Sequence, residues 1–297
     1  MEKSKVYFTN AITPESLVKI YEALGTPVSG KVAIKISTGE AGNPNYLKPE
    51  LIKNLVEKVD GTIVECNTAY AGARNSTEEH LQTAKDHGFT DIAEVDIMDA
   101  DGEIEIPVHG GRHLEVDIIG KNFANYDSMI NLAHFKGHPM GGFGGALKNQ
   151  SIGIASSAGK AYIHTAGKSR DVDTLWNHIA PQDDFLEAMA EAAKSVADYM
   201  NANNKPIVYI NVINNLSVDC DCVATPESPC MQDIGIAASL DPVALDQACV
   251  DMIYNSTDPG RDHFVERVER QNGVHIIETA AQLGLGSREY ELIDLDK

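Results

Sequence analysis

The chain has 297 residues and a formal net charge of −20, which argues against nucleic acid and anionic membranes as partners, because both bind basic surfaces. No apolar run is long enough for a transmembrane helix, residues 1–6 lack the apolar core of a signal peptide, and the hydrophobic share of 43% is ordinary for globular proteins. The five cysteines, an odd number, fit free or metal-bound thiols better than a disulfide framework, so we expect a cytoplasmic protein.

The first part of the chain alternates between helices and strands. Residues 14–24 are a predicted helix, with Thr13 as its N-cap and Pro14 in its first turn. The elements that follow are a strand over residues 31–37, a helix over 49–59, a strand over 61–66 and a helix over 77–87. This alternation is typical of βαβ units and predicts a largely parallel sheet flanked by helices.

Residues 94–120 break the alternation, because turn signals there separate two β-rich runs, over residues 103–108 and 113–119. The remaining predicted elements are strands over residues 128–133 and 207–213 and helices over 183–201, 241–255, 261–271 and 274–283. The sequence therefore predicts an α/β fold with a mostly parallel sheet and a small antiparallel β insertion. We expect the chain to form either a single domain of residues 1–297 or two interlocked lobes of about 1–125 and 126–297.

The most unusual stretch is the glycine segment, residues 134–149, which follows a predicted strand. It contains five glycines, and Lys136 and Lys148 lie on either side of these glycines. Glycine lets backbone N–H groups approach a ligand, and lysine supplies positive charge for an oxyanion. We therefore expect this segment to bind a small anion, although a plain glycine-rich connection is the alternative. Its spacing matches neither a P-loop nor a dinucleotide-binding fingerprint.

A second candidate is the Cys220-Asp-Cys222 motif, with Cys230 eight residues further on, after the predicted strand over residues 207–213. Two thiolates separated by one residue can reach a single soft metal, and zinc or an iron–sulfur cluster suits such ligands. Three histidines are candidates for a further ligand: His134, His138 and His164. The alternative is a polar loop with three free thiols, because one such motif is a weak signal.

Loops after four predicted strands should line one cleft, because the carboxyl ends of parallel strands share one edge of a sheet. The candidates for ligand binding are Glu40, Tyr70, Arg74, Lys136, Gly144, Gly145, Lys148 and Asn149. The candidates for proton transfer, metal binding or thiol–disulfide chemistry are His134, His138, Cys220 and Cys222, and those for further metal ligands are Cys230 and His164. We expect Arg74 to face the same cleft as Lys136 and Lys148.

Several blocks of the sequence, in one order, resemble the family catalogued as domain of unknown function 362. They include residues 25–35, 68–74, 134–149, 158–164, 220–222, 233–235 and 240–244. The resemblance implies an α/β cytoplasmic protein, often linked to iron–sulfur chemistry. Many relatives carry a ferredoxin-type four-cysteine motif after the histidine that matches His164. Residues 165–200 contain no cysteine here, so a ferredoxin-type cluster is not expected.

Three functions are compatible with these features. The first is a metal-assisted or redox enzyme that acts on a small anionic metabolite. The second is a protein that handles a metal or an iron–sulfur cluster without turnover, and the third is a sensor of an anionic ligand. The oligomeric state is left open, with a homodimer as one alternative.

Overall fold

A computed structural model describes residues 3–297, which contain twelve β-strands and nine α-helices. The strands are β1 (Ser4–Thr9), β2 (Val32–Lys35), β3 (Gly61–Glu65), β4 (Val95–Ile97), β5 (Glu103–Pro107), β6 (Val116–Gly120), β7 (Ser128–His134), β8 (Lys136–His138), β9 (Gly142–Gly144), β10 (Ile207–Ile213), β11 (Gly235–Ser239) and β12 (Tyr290–Asp294). The helices are α1 (Pro14–Ala23), α2 (Pro49–Val59), α3 (Thr77–Asp86), α4 (Ala146–Ile154), α5 (Ser157–His164), α6 (Gln182–Ala202), α7 (Pro242–Tyr254), α8 (Arg261–Arg270) and α9 (His275–Gln282).

Eight strands form one sheet, in the order β12-β1-β11-β10-β7-β2-β3-β4. The pairs β10–β7, β7–β2, β2–β3, β3–β4 and β1–β12 are parallel, and β11 is antiparallel to both of its neighbours. Seven of the eight strands therefore point the same way, which confirms the predicted mostly parallel sheet. The predicted antiparallel insertion is also confirmed, because β5 and β6 pair antiparallel from Glu103 opposite Gly120 to Pro107 opposite Val116.

Helices cover both faces of this sheet. On one face, Leu17 of α1 packs in the same apolar cluster as Ile34 of β2. On the other face, Leu147 of α4 shares a cluster with Tyr209 of β10 and Ala237 of β11. Strands buried on both faces consist of nearly continuous apolar runs. This explains why the strands over residues 128–134 and 207–213 are mostly apolar and buried along their length instead of alternating.

The helix ends follow the local signals in the sequence. Thr13 caps α1 by accepting a hydrogen bond of 3.1 Å from the Ser16 N–H, and Pro14 occupies its first position, as predicted. Asp241 caps α7 in the same way, by accepting from the N–H groups of Val243 and Ala244. No helix of residues 3–297 combines the length and the apolar character that a membrane span requires.

The glycine segment is more regular than a loop. Residues 136–138 and 142–144 pair as the short antiparallel hairpin β8–β9, and α4 begins immediately afterwards, at Ala146. The strands β1, β4, β11 and β12 and the helix α5 were not predicted from the sequence. The strand β11 is Gly-Ile-Ala-Ala-Ser, whose small side chains carry little of the β-branched and aromatic content by which strands are recognised.

Candidate functional site

The loops after β2, β3, β7 and β10 meet at the carboxyl edge of the sheet. The N–H of Glu40 donates a hydrogen bond of 2.8 Å to the Asp221 carbonyl, which joins the loop after β2 to the loop after β10. Arg74, in the loop after β3, places Nε 3.4 Å from Oε2 of Glu40. Nζ of Lys148, in the first turn of α4, lies 3.8 Å from Sγ of Cys220. The four loops form one composite region, as the parallel strands require.

A cavity of about 430 Å³ lies among these loops. The predicted site residues that line it are Tyr70, Arg74, His138, Lys148, Asn149, His164 and Cys222. Three charged side chains that the sequence did not single out also line it: Lys35, Glu65 and Lys160. The predicted residues that lie outside its lining are Glu40, His134, Lys136, Gly144, Gly145, Cys220 and Cys230.

Arg74 borders the cavity, but its positive charge is balanced by neighbours. The guanidinium lies 3.4 Å from a carboxylate oxygen of Glu40 and 3.4 Å from one of Glu65, and it donates to the Tyr70 hydroxyl at 3.3 Å. Burial raises the pKa of Glu65, but a hydrogen bond with His80 and the charges of Lys35 and Arg74 outweigh it and hold that pKa well below its usual range. Arg74 therefore organises the loop and contributes less net charge to the cavity than expected.

Two buried lysines supply the positive charge instead. Lys35 is the last residue of β2, and its Nζ donates to Oδ1 of Asn149 at 3.1 Å and to the Ile36 carbonyl. Lys160, in α5, donates to the Ala155 carbonyl at 2.6 Å. Burial lowers the pKa of both lysines, to about 8 for Lys35. A lysine that ends an apolar strand was a signal for Lys35, since charged side chains are rarely buried without a role.

The second group at the cavity is a cluster of His138, Cys220 and Cys222, whose potential ligand atoms all lie within 4.8 Å of one another. A hydrogen bond from Cys222 lowers the pKa of the Cys220 thiol well below its usual range against the effect of burial, and Lys148 and Lys136 contribute. The same hydrogen bond and burial raise the pKa of Cys222. The pKa of the first thiol is thus lowered and that of the second raised, and a lowered thiol pKa beside lysines is typical of reactive cysteines.

The ring of His138 is oriented by the backbone of the glycine segment. Its Nδ1 accepts a hydrogen bond of 2.8 Å from the Gly141 N–H and one of 3.2 Å from the Met140 N–H. Because Nδ1 acts as an acceptor, the neutral ring carries its proton on Nε2. Burial lowers the pKa of His138, and a hydrogen bond with Cys220 opposes that effect. We therefore expect the Nε2–H group of His138 to point toward Sγ of Cys220.

His134 and Lys136 hold the cysteine motif in place and do not face the cavity. Nδ1 of His134 lies 2.8 Å from Oδ1 of Asp221, and its Nε2 lies 2.6 Å from the Asn214 carbonyl. Nζ of Lys136 lies 3.1 Å from Oδ2 of the same carboxylate. The ammonium of Lys136 faces Asp221 instead of the cavity, and its assignment to ligand binding stays a prediction. Both ring nitrogens of His134 have partners and the residue is buried, and its assignment to proton transfer likewise stays a prediction.

The glycines at the start of α4 receive a carboxylate from within the protein. The N–H groups of Ala146 and Leu147 donate to Asp246 at 2.8 and 2.9 Å. A Cβ on Gly145 would lie 2.4 Å from Oδ1 of Asp246, so the glycine permits this close approach. Gly144 pairs with Lys136 in the β8–β9 hairpin. In this structure the carboxylate of Asp246 takes the position predicted for an external anion, and anion binding by these backbone groups stays a prediction.

Two predicted metal ligands lie apart from the cysteine cluster. Sγ of Cys230 donates to the Leu216 carbonyl at 3.3 Å, and this residue does not join the pair at Cys220. His164 lines the cavity, but its Nδ1 lies 2.6 Å from the Lys160 carbonyl and its ring stacks on Phe185 with centroids 4.8 Å apart. Burial lowers the pKa of His164 to about 4, so the ring is neutral.

Comparison with known proteins identifies a family. No curated protein matches the chain. Similar solved structures include the lactate racemase apoprotein from Thermoanaerobacterium thermosaccharolyticum, with a TM-score of 0.45, 16% identity and 85% of this chain covered. They also include a protein from Thermotoga maritima, with a TM-score of 0.44, 13% identity and 91% of this chain covered. The chain spans 58% of the length of each. The family described as Domain of unknown function (DUF362) matches residues 32–251, and the chain therefore belongs to the DUF362 family.

Proposed function

We propose that the protein is a metal-assisted enzyme that acts on a small organic anion. The observation that carries this proposal is the shared position of two groups of side chains. Lysines line the cavity of about 430 Å³, and two members of the cluster of two cysteines and one histidine, His138 and Cys222, line it as well. A cavity of this size fits a small metabolite.

The charges of the lining support an anionic ligand. Four cationic side chains border the cavity, those of Lys35, Arg74, Lys148 and Lys160, and among the described lining residues Glu65 has the one carboxylate. The chain as a whole has a net charge of −20, so the cavity lining is positively charged in an otherwise acidic protein. Clefts lined by one sign of charge concentrate ligands of the opposite sign. We expect a carboxylate or phosphate to bind near Lys148 and Lys160.

The donor set supports a soft metal. Two sulfurs and one imidazole suit zinc, and three protein ligands leave one coordination position for substrate, as in catalytic zinc sites. When bound, such a metal would polarise a carbonyl or activate a water. Cys220, Cys222 and His138 would hold it, and Lys148 would bring the anion beside it.

The orientation of His138 favours a second candidate, a redox-active dithiol. Coordination through Nε2 needs the ring proton on Nδ1, yet Nδ1 accepts from the Gly141 N–H at 2.8 Å. In the orientation described, the histidine instead stabilises the Cys220 thiolate. Cys220 and Cys222 would then give two electrons to a bound substrate and form a disulfide with each other.

Metal content separates the two candidates. For the metal-assisted enzyme we expect protein purified without oxygen to contain about one zinc or iron per chain by elemental mass spectrometry, with the metal lost in Cys222→Ser. The matched control is Cys230→Ser, which lies outside the cluster and should keep the metal. Equal metal content in wild type and Cys222→Ser would rule out this site. A Cys220–Cys222 disulfide in metal-free oxidised protein would favour the dithiol.

Anion binding is tested separately, by calorimetry with lactate and with inorganic phosphate. Lys148→Ala should weaken binding by about 1–3 kcal/mol, the value of a lost charge-assisted hydrogen bond. The matched control is Lys168→Ala, which removes an exposed lysine elsewhere and should leave the affinity unchanged. If both variants bind like the wild type, the cavity is not the anion site.

A further inference from the structure

Lys35 is placed as a reactive amine and not as a surface charge. Its side chain is only 2% exposed, yet it lines the cavity. Nζ donates to Oδ1 of Asn149 at 3.1 Å and to the Ile36 carbonyl. A lysine ammonium has three protons, so these two acceptors leave one position of the nitrogen without a protein partner. That position is available to a ligand in the cavity.

The helix opposite Lys35 makes room for this amine. Gly153 lies inside α4, where a Cβ would be 2.6 Å from Cε of Lys35 and 2.8 Å from Nζ. Glycine in a helix interior is destabilising relative to alanine. The chain therefore has a weaker helix former at a position where a Cβ would clash with the lysine.

The surroundings favour the neutral form of this amine. Burial lowers the pKa of Lys35 to about 8, and the charges of Lys160 and Lys148 lower it further against the opposing effect of Glu65. Desolvation and a neighbouring cation are the two means by which proteins activate a lysine as a nucleophile. With a pKa of about 8, roughly a tenth of the Lys35 amine is neutral at pH 7 and about half at pH 8, while an ordinary lysine is almost entirely protonated at both.

We infer that Lys35 forms an imine with the carbonyl carbon of a bound 2-oxo acid, whose carboxylate is held by the other cations of the cavity. The inference rests on the anion site proposed above and names the class of its substrate. The neutral amine attacks the carbonyl carbon with its nitrogen lone pair, and the carbonyl electron pair moves to oxygen. The oxygen takes up the two protons of that nitrogen and leaves as water while the carbon–nitrogen double bond forms. One proton from solvent then converts the imine to the iminium, so that amine, carbonyl and one proton give an iminium and one water with no redox change.

Reductive trapping tests this directly. The wild-type protein, purified without oxygen, is incubated with pyruvate and sodium cyanoborohydride and then mapped by peptide mass spectrometry. We expect a gain of one pyruvate less one oxygen atom on Lys35, and its complete loss in Lys35→Met. Lys31→Met is the matched control, since it removes an exposed lysine just before β2 and should trap like the wild type. Mapping of the wild type locates the adduct even if Lys35→Met does not fold.

A second variant tests the positioning. Gly153→Ala should reduce trapping at least tenfold, because the new methyl group displaces Nζ, while lactate, which has no ketone, still raises the unfolding temperature. Trapping at wild-type efficiency in Gly153→Ala would overturn the positioning role. Adducts spread evenly over surface lysines, or no adduct although pyruvate and lactate stabilise the protein equally, would overturn the imine and leave the anion site intact. If neither acid stabilises the protein, the proposed function itself fails.

Discussion

The buried carboxylate of Asp246 at the start of α4 gives a sharp test of how the site is built. It accepts hydrogen bonds of 2.8 Å from the Ala146 N–H, 2.9 Å from the Leu147 N–H and 2.8 Å from Nδ2 of Asn211. Asp246→Asn keeps the shape of the side chain. It replaces one acceptor oxygen by an NH₂ group, which is a donor.

The expected loss of stability follows from these three contacts. With only one oxygen left, at least one of the donors loses its acceptor and faces an N–H group, which costs about 1–3 kcal/mol when buried. The loss of a negative charge at a helix N-terminus adds about 0.3–1 kcal/mol. We therefore expect the free energy of unfolding of Asp246→Asn to fall by about 1.3–4 kcal/mol.

Urea unfolding followed by circular dichroism measures this difference. Asp173→Asn is the matched control, because residue 173 is exposed in a turn outside the helices and the variant should stay within about 0.5 kcal/mol of the wild type. Lactate affinity should fall with Asp246→Asn as well, since Lys148 lies in the same first turn of α4. A variant as stable as the wild type would refute the view that this carboxylate holds the glycine segment.

Three further predictions concern charged groups. Burial raises the pKa of Asp117 to about 7 from an ordinary value near 3.8. Between these two pH values the folded protein retains the proton that the unfolded chain releases, so the free energy of unfolding falls as pH rises. Asp117→Asn should therefore raise the thermal midpoint more at pH 8 than at pH 5. Because burial lowers the pKa of Lys35 to about 8, calorimetric lactate affinity should fall as pH rises through about 8, and this fall should be smaller in Lys35→Met. Lys136→Met breaks a buried ion pair with Asp221 and should cost about 3 kcal/mol in urea unfolding, because His134 alone then faces the carboxylate.

The fold was largely predictable because its signals are local. The helix over residues 49–59 and the strand over residues 207–213 have the predicted bounds, since proline at a helix start and a long apolar run each identify one element. The antiparallel partner of that strand, β11, was missed because its small residues pack well only between β1 and β10. Its identity depends on contacts that are distant in sequence.

The site was predictable only as a group of loops. Strand order brings the loops together, but which charges remain free depends on partners far along the chain. His134 and Lys136 resembled ligand-binding residues because Asp221, which engages both, lies more than 80 positions away. Conversely, Lys35 and Lys160 lie in sequence blocks that resemble the family but were not assigned to the site, and the packing of α4 and α5 around the cavity reveals their position.

The residue between the two cysteines has a consequence for tracing this architecture in other chains. Asp221 turns its carboxylate into the protein body, where His134 and Lys136 meet it, while the flanking sulfurs meet each other. The informative unit is therefore a bipartite pattern, His-any-Lys in one segment and Cys-Asp-Cys in another. A chain that contains both halves should present its two thiols from a turn that the same His, Lys and Asp contacts hold in place. Transplanting the thiol pair onto another scaffold would require moving all five residues together.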